Sequence, residues 1–318
     1  MTVSVTVRAY LAWATICIVW GTTYLAIRIS LETLPPGLSG GLRWLTAGTL
    51  LAAGHLATRR PLPRASEWPS LSILGLLFIV GGNGLVVWAE QWVPSGLTAV
   101  LLATTPFWMV GMEVLLPRGE RPTLRTWAGL FVGFSGIVLL VWPEITAAGA
   151  AGRHFALGVL ALQVACLTWS AGSVYSRWRQ QEHSTLGGAA IQMIAGGGIL
   201  TILGTAAGEW PRLAFSARSG LAFGYLVCIG SIVAYSSYLY TLRHLPVSTI
   251  SLYAYINPII AMILGTVILS EPFGTRTAVA STIVLAGVAL VRSRPHEAAT
   301  RSKKPTSPDI DGTGRRSR

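Results

Sequence analysis

The two halves of this chain repeat each other. Trp20, in a first apolar stretch, recurs as Trp169, and Cys17 recurs as Cys166, both at an offset of 149. Val93-Pro94-Ser95 recurs as Leu245-Pro246-Val247, and Pro106 as Pro258, at an offset of 152. Gly119-Glu120 followed by Arg125 recurs as Ser270-Glu271 followed by Arg276 at an offset of 151, and Gly136 matches Gly287 in that register. Anchors in one order, drifting by three residues, decide the architecture before any single element does. Only 11% of the 318 residues are charged and 52% are hydrophobic, against roughly 25% charged in soluble domains. Lipid is the solvent that such a composition suits.

Hydropathy places ten apolar segments near 9–29, 37–57, 70–91, 95–116, 125–143, 155–177, 186–207, 219–242, 246–269 and 275–292, each near the ~20 residues that cross a bilayer. Pro35-Pro36, Pro61, Pro63, Pro117, Pro122, Pro143, Pro211 and Pro246 punctuate the loops between them. Five spans separate one copy from the next. An odd count turns the second copy upside down, which is the signature of a secondary transporter. The expected fold is therefore an all-α membrane protein of ten transmembrane helices, built as two inverted five-helix repeats over 9–143 and 155–292. A polar, basic tail at 293–318 follows and is expected to be disordered and cytoplasmic.

The net charge of +12 does not point to nucleic acid, because 8 of the 24 Lys and Arg residues lie in the last 27 positions and most others in short loops. Their distribution gives orientation instead. With a cytoplasmic N-terminus, 18 cations fall inside and 5 outside, so both termini are expected in the cytoplasm. Cys17, Cys166 and Cys228 all lie in apolar stretches at spacings that fit no metal site, and their expected role is packing. No metal or cofactor is expected.

Polar side chains at membrane depth are costly, so each is a functional candidate. Arg43 lies mid-span in GGLRWLTAG and needs a watery cavity or an acidic partner; it suits a carboxylate or phosphate, or else ties two helices through backbone carbonyls. Counting 23 residues on from Trp20 reaches Arg43, and from Trp169 reaches Gln192, so the copies place long polar groups at matched depth with charge in only one. Glu90 shares a face with Asn83 and Val87, and Glu113 shares one with Pro106 and Met109. These two carboxyls are the candidates for proton coupling, against roles as interfacial anchors. Tyr235 and Tyr238 share a stripe with Ser231, and Tyr253 shares one with Asn257. With Tyr255, the last pair sits too deep for an interfacial aromatic belt. Asn257 precedes Pro258 and Thr105 precedes Pro106, and each proline frees a backbone carbonyl one turn earlier. Trp20, Trp169 and Trp108 complete the expected cavity set. Gly129 with Gly133, and Gly220 with Gly224, are small-residue pairs for helix contact within the chain or in a homodimer.

These residues resemble the drug/metabolite transporter superfamily, specifically its ten-span EamA-type exporters. The resemblance runs from about Leu11 to Val291. It is carried by WGTTYLAIR at 20–28, LRWLTAG at 42–48, AEQWVPSGLTAVLLATTPFW at 89–108 and ERPTLRTWAGLFVGFSGIVLL at 120–140, then by WSAGSVYSRW at 169–178 and LPVSTISLYAYINPIIAMILGTVILSEP at 245–272. The stretch from Ala89 looks most like a bacterial inner-membrane exporter branch. The resemblance implies two inverted five-helix repeats, with spans one to four and six to nine around a cavity and spans five and ten peripheral. It also implies outward transport of amino acids, other metabolites or drugs.

The function expected is thus secondary active export of a small metabolite, an amino acid or related polar or amphipathic compound, by alternating access and with proton coupling. The expected partners are that small molecule and the lipid bilayer. Two rival readings are an intramembrane enzyme, suggested by Ser135 in Gly133-Phe134-Ser135-Gly136, and a channel. The enzyme needs a base beside its nucleophile, yet His55, His154, His183, His244 and His296 all fall near span ends or in loops. The channel needs a continuous polar pore.

Overall fold

A computed structural model describes residues 4–115, 123–146, 149–179, 184–245, 247–250 and 253–292. The tail at 293–318 lies outside them. Among the described residues no strand forms, and the chain runs through helices α1 (Val5–Ser30), α2 (Pro36–Ala57), α3 (Ala65–Ala89), α4 (Ser95–Met112), α5 (Leu124–Thr146), α6 (Ala150–Trp178), α7 (Thr185–Ala206), α8 (Ala217–His244), α9 (Tyr253–Leu269) and α10 (Thr275–Arg292). The single turn Val247–Ile250 precedes α9. Seven of these helices are long and apolar enough to cross a membrane; the stretches Tyr253–Leu269 and Thr275–Val291 are shorter apolar helices. α2, with Arg43 and a run of glycines, is not among the seven. Large apolar side chains cover the outer surface: Leu124, Phe131, Trp178, Leu221 and Val267 are each at least 75% exposed. The protein is an all-α membrane protein.

Local chemistry sets the helix starts. Ser4 and Ser184 each accept from a backbone N–H three residues on, and Ser216 and Ser219 cap each other reciprocally. α2 and α4 begin at Pro36 and just after Pro94, and their free N–H groups are capped from a distance. Glu209, beyond α7, accepts from Gly37 and Leu38 N–H at 3.2 and 2.7 Å. Glu271, beyond α9, accepts from Ser95 N–H at 2.8 Å, Gly96 N–H at 3.1 Å and the Ser95 hydroxyl at 2.9 Å. A carboxylate at a helix N-terminus also meets the positive end of its dipole. Pro143 does not end its helix. α5 runs one turn further to Thr146, whose hydroxyl bonds back to the Trp142 carbonyl at 2.8 Å.

The packing pairs helices from the two halves. α2 lies along α7, α5 along α10 and α4 along α9. α1 packs on α9 and α8, as α6 packs on α4 and α3; α3 packs on α7, as α8 packs on α2. Glycine makes the α2–α7 approach possible. A Cβ on Gly41 would sit 2.5 Å from Thr201 N, and one on Gly48 would sit 2.8 Å from Ile194 N. The Gly129–Gly133 pair is used within the chain, because a Cβ on Gly129 would meet Val291 N at 2.7 Å on α10. Gly224 has nothing within 4 Å.

α3 and α8 share a departure from α-helical geometry. Leu76–Gly84 and Leu226–Tyr235 wind as π-helix, with i→i+5 bonding. Such turns are rare and gather at functional sites. Here they occupy matching positions in matching helices.

Candidate functional site

A cavity of about 80 Å³ lies between α1, α2, α3, α4, α6 and α9. By the measure in which one water needs roughly 10–15 Å³, it admits a solute of a few heavy atoms. Its wall includes Trp20, Thr23 and Tyr24 of α1, Arg43 of α2, Asn83 and Val86 of α3, Thr105 of α4, Cys166 and Trp169 of α6, and Tyr253, Asn257 and Pro258 of α9. α5 and α10 contribute nothing to it, and pack chiefly on each other.

Arg43 is the charged group of the wall and is 2% exposed. Its Nε donates to Ser231 Oγ at 2.8 Å and its Nη1 to Asn83 Oδ1 at 3.4 Å. Both partners sit on the π-helical stretches, so the widened turns of α3 and α8 hold the guanidinium from two sides. Trp44 Nε1 donates to the same Asn83 oxygen at 3.1 Å, and the Trp44 ring lies 4.8 Å from the guanidinium carbon. Glycine at 230 keeps the space open, since a Cβ there would stand 3.2 Å from Nη2. A guanidinium has five N–H donors, of which Ser231 and Asn83 take two. No carboxylate lies within 4.0 Å of it among the described residues. Arginine's planar fork matches a carboxylate bidentately, and its remaining donors are the chemistry the cavity has to offer an anion.

Aromatic rings form another part of the wall. Trp20 meets Trp169 edge-on at 5.4 Å and Tyr253 at 5.3 Å. The repeat-related tryptophans therefore touch each other. Tyr238 packs 5.0 Å from Trp20, and its hydroxyl accepts from Trp169 Nε1 at 3.0 Å and pairs with Ser173 Oγ at 2.9 Å. Tyr238 supports the wall from behind and does not line it. Tyr235 and Gln192 are likewise behind it: the Tyr235 hydroxyl donates to Gln192 Oε1 at 2.5 Å, and the ring packs on Trp44 at 5.3 Å. Asn257, with its amide oriented to suit its neighbours, donates to the carbonyls of Cys17 at 2.8 Å and Tyr253 at 3.3 Å, which ties α9 to α1.

The two proline sites differ. α4 breaks at Ala103-Thr104, and Phe107 N–H bonds only one turn back to the Thr104 carbonyl at 2.8 Å. α9 runs through Pro258 without a break. Trp108 turns away from the cavity and donates to Gln163 Oε1 at 3.1 Å, beside Thr104 at 3.2 Å. Tyr255 packs against an apolar cluster drawn from α1, α3, α4, α5, α6, α8 and α10. Glu90 is fully buried one turn beyond the wall residue Val86. The Glu113 side chain lies outside the described residues.

Tyr24 and Cys166 belong to the wall, although the sequence names the first only as part of WGTTYLAIR and reads the second as packing. Gln163 is a half-buried polar group that sequence reading passes over; its only signal is an amide mid-span in LQVACL.

Ser135 donates to the Val132 carbonyl of its own helix. His55 lies by Ser184, His154 stacks on Trp92 and His244 stacks on Tyr240. None of the three serves as a base for Ser135; His183 and His296 lie outside the described residues.

The profile of the EamA-like transporter family matches the chain twice, over 7–142 and 156–293. The chain belongs to the EamA-like transporter family. The family places it among transporters and not enzymes. An uncharacterized inner membrane transporter, YedA of Escherichia coli strain K12, is 34% identical over 275 residues, covering 86% of this chain and 87% of YedA. A probable terminal-alkyne amino-acid exporter of Streptantibioticus cattleyicolor is 28% identical over 306 residues, covering 89% and 93%. A crystal structure superposes with a TM-score of 0.65 at 23% identity, over 89% of this chain and 96% of the other, which bears on the fold alone.

Proposed function

We propose that this EamA-family protein exports a small carboxylated metabolite, an amino acid or related compound, across a bacterial inner membrane. The observation that carries this reading is the buried Arg43, with uncommitted N–H donors facing a cavity and no carboxylate partner. Burying a lone charge costs several kcal/mol, and a bound anion offsets that cost. The rings of Trp20, Trp169 and Tyr253 offer apolar contact for the rest of the solute. Relatives named as an inner membrane transporter and an amino-acid exporter support the same class.

The proposed arrangement is ten spans in two inverted halves, 9–143 and 155–292, with both termini cytoplasmic. The double family match, the exchange of helix pairings between halves and the matching π-helical stretches support it. So does the excess of loop arginines on one side. Alternating access rocks the halves about the cavity, and a proton gradient supplies the driving force.

A panel of carboxylated and non-carboxylated solutes, screened by thermal shift on the purified protein, tests the reading. Carboxylated hits are expected to stabilise the wild type and to lose their effect on Arg43→Ala. Retention of every carboxylated hit by that variant overturns the anion role. Saturable counterflow of a hit in proteoliposomes separates a carrier from a channel.

A further inference from the structure

Three acidic side chains stand near the N-termini of α2 and α4, and one is unlike the others. Glu209 and Glu271 accept hydrogen bonds from helix N–H groups. Glu90, at the end of α3, is 0% exposed, and neither carboxyl oxygen has a hydrogen-bond partner. Its own main-chain carbonyl is engaged by Arg28 Nη1 instead. Native proteins pair their buried polar groups, so an orphan of this kind calls for an explanation. A structural anchor does not supply one, because an anchor is held by bonds. Nor is the carboxyl part of the duplicated scaffold, since the offset of 152 places Leu242 at its position in the second half.

Its placement ties it to the cavity. Asn83, Val86 and Glu90 follow one another along one side of α3: Asn83 holds Arg43, Val86 forms wall and Glu90 lies one turn beyond. The charged and titratable groups around it are Arg28 and Tyr24 on α1, Arg43 on α2 and Glu271 after α9. Glu271 is already committed to α4. An ionised carboxyl without a bond is the costliest form to bury, and the neutral acid is the form this site accommodates.

We propose that Glu90 carries the proton of the transport cycle, a role that rests on the export reading above. In this sealed state it is the neutral acid. When the end of α3 opens to water, the O–H bond breaks, the proton leaves to solvent, and the guanidinium of Arg28 turns from the Glu90 carbonyl to the new carboxylate. Reprotonation from the other side restores the neutral acid, so one proton crosses per cycle.

Two measurements on the full chain test this. Infrared difference spectra of wild-type protein in nanodiscs are expected to show the C=O stretch of a protonated carboxyl at neutral pH, lost in Glu90→Gln. A band that the substitution leaves unchanged overturns the proposal without reference to any substrate. In proteoliposomes, the ratio of uptake under a pH gradient to gradient-free counterflow of a thermal-shift hit is expected to rise above one in wild type and to return to one in Glu90→Gln. An unchanged response in the variant also overturns it. Wild-type counterflow that ignores the gradient sinks this proposal and the proton drive with it but leaves carboxylate export standing, whereas absence of counterflow in wild type sinks the export reading and this role with it.

Discussion

Two corners of the molecule correspond under the repeat and differ in one way. Arg43 and Asn83 join α2 to α3; Gln192 and Tyr235 join α7 to α8. The offset of 149 relates Arg43 to Gln192, and that of 152 relates Asn83 to Tyr235. Each corner thus keeps a hydrogen bond between the second and third helices of its half. The second corner is closed: Tyr235 is fully buried, its hydroxyl lies 2.5 Å from Gln192, and its ring fills the space against Trp44 and Phe78. In the first, the longer and charged side chain has donors left over, and they border the cavity. The two corners thus share a bond and differ in what is left over.

The largest expected effect comes from erasing that inequality. Arg43→Gln installs the second corner's residue in the first. Its neutral amide can still bond Asn83, so the fold is expected to survive. Hydrogen bonds to charged groups contribute about 1.5–3 kcal/mol, so affinity for a carboxylated hit is expected to fall roughly 10–100-fold. Isothermal titration of both proteins reads this directly. Equal affinities would show that the leftover donors of Arg43 are not what distinguishes the corners.

The helices, and the correspondence of Arg43 with Gln192 in register, were legible in the sequence because hydropathy and sequence offset depend on residue type alone. The expected stretches agree with the described helices to within a few residues at most ends. The exceptions have physical causes. α5 passes through Pro143, one turn before its end, at the cost of one backbone N–H. The π-helical windings of α3 and α8 left no trace, since a hydropathy window cannot tell i→i+5 from i→i+4 bonding; Gly81-Gly82-Asn83-Gly84 was the only hint. Depth said that Arg43 needed partners, but Ser231 became one only because α8 crosses α2. The same limit put Tyr235, Tyr238 and Gln192 among expected cavity residues, whereas their side chains engage one another and Trp169 behind the wall.

A smaller effect probes the contact that brings the corners together. Along the α2–α7 seam a Cβ on Gly41 would press into the backbone at Thr201, whereas one on Gly54, at the far end of α2, meets nothing within 4 Å. Gly41→Ala is expected to cost about 1–3 kcal/mol by overpacking, seen as a lower apparent melting temperature in detergent. Gly54→Ala is the matched control and is expected to be neutral or slightly stabilising, since alanine favours a helix. Equal melting temperatures for the two variants would mean that α2 and α7 can separate without loss, and that the corners are positioned by α3 and α8 alone.

The smallest effect belongs to the closed corner. Tyr235→Phe removes the hydroxyl that bonds Gln192 and keeps the ring between Trp44 and Phe78. A net hydrogen bond is worth about 1 kcal/mol, so a modest drop in thermal stability is expected. Affinity for the carboxylated hit is expected to stay at the wild-type value, because neither Tyr235 nor Gln192 reaches the cavity wall. Arg43→Gln should give the opposite pattern, with affinity lost and stability kept. If Tyr235→Phe weakens binding as much as Arg43→Gln does, the closed corner is not passive. Its hydrogen bond would then be shaping the cavity through Trp44, whose ring touches Tyr235 on one side and the Arg43 guanidinium on the other.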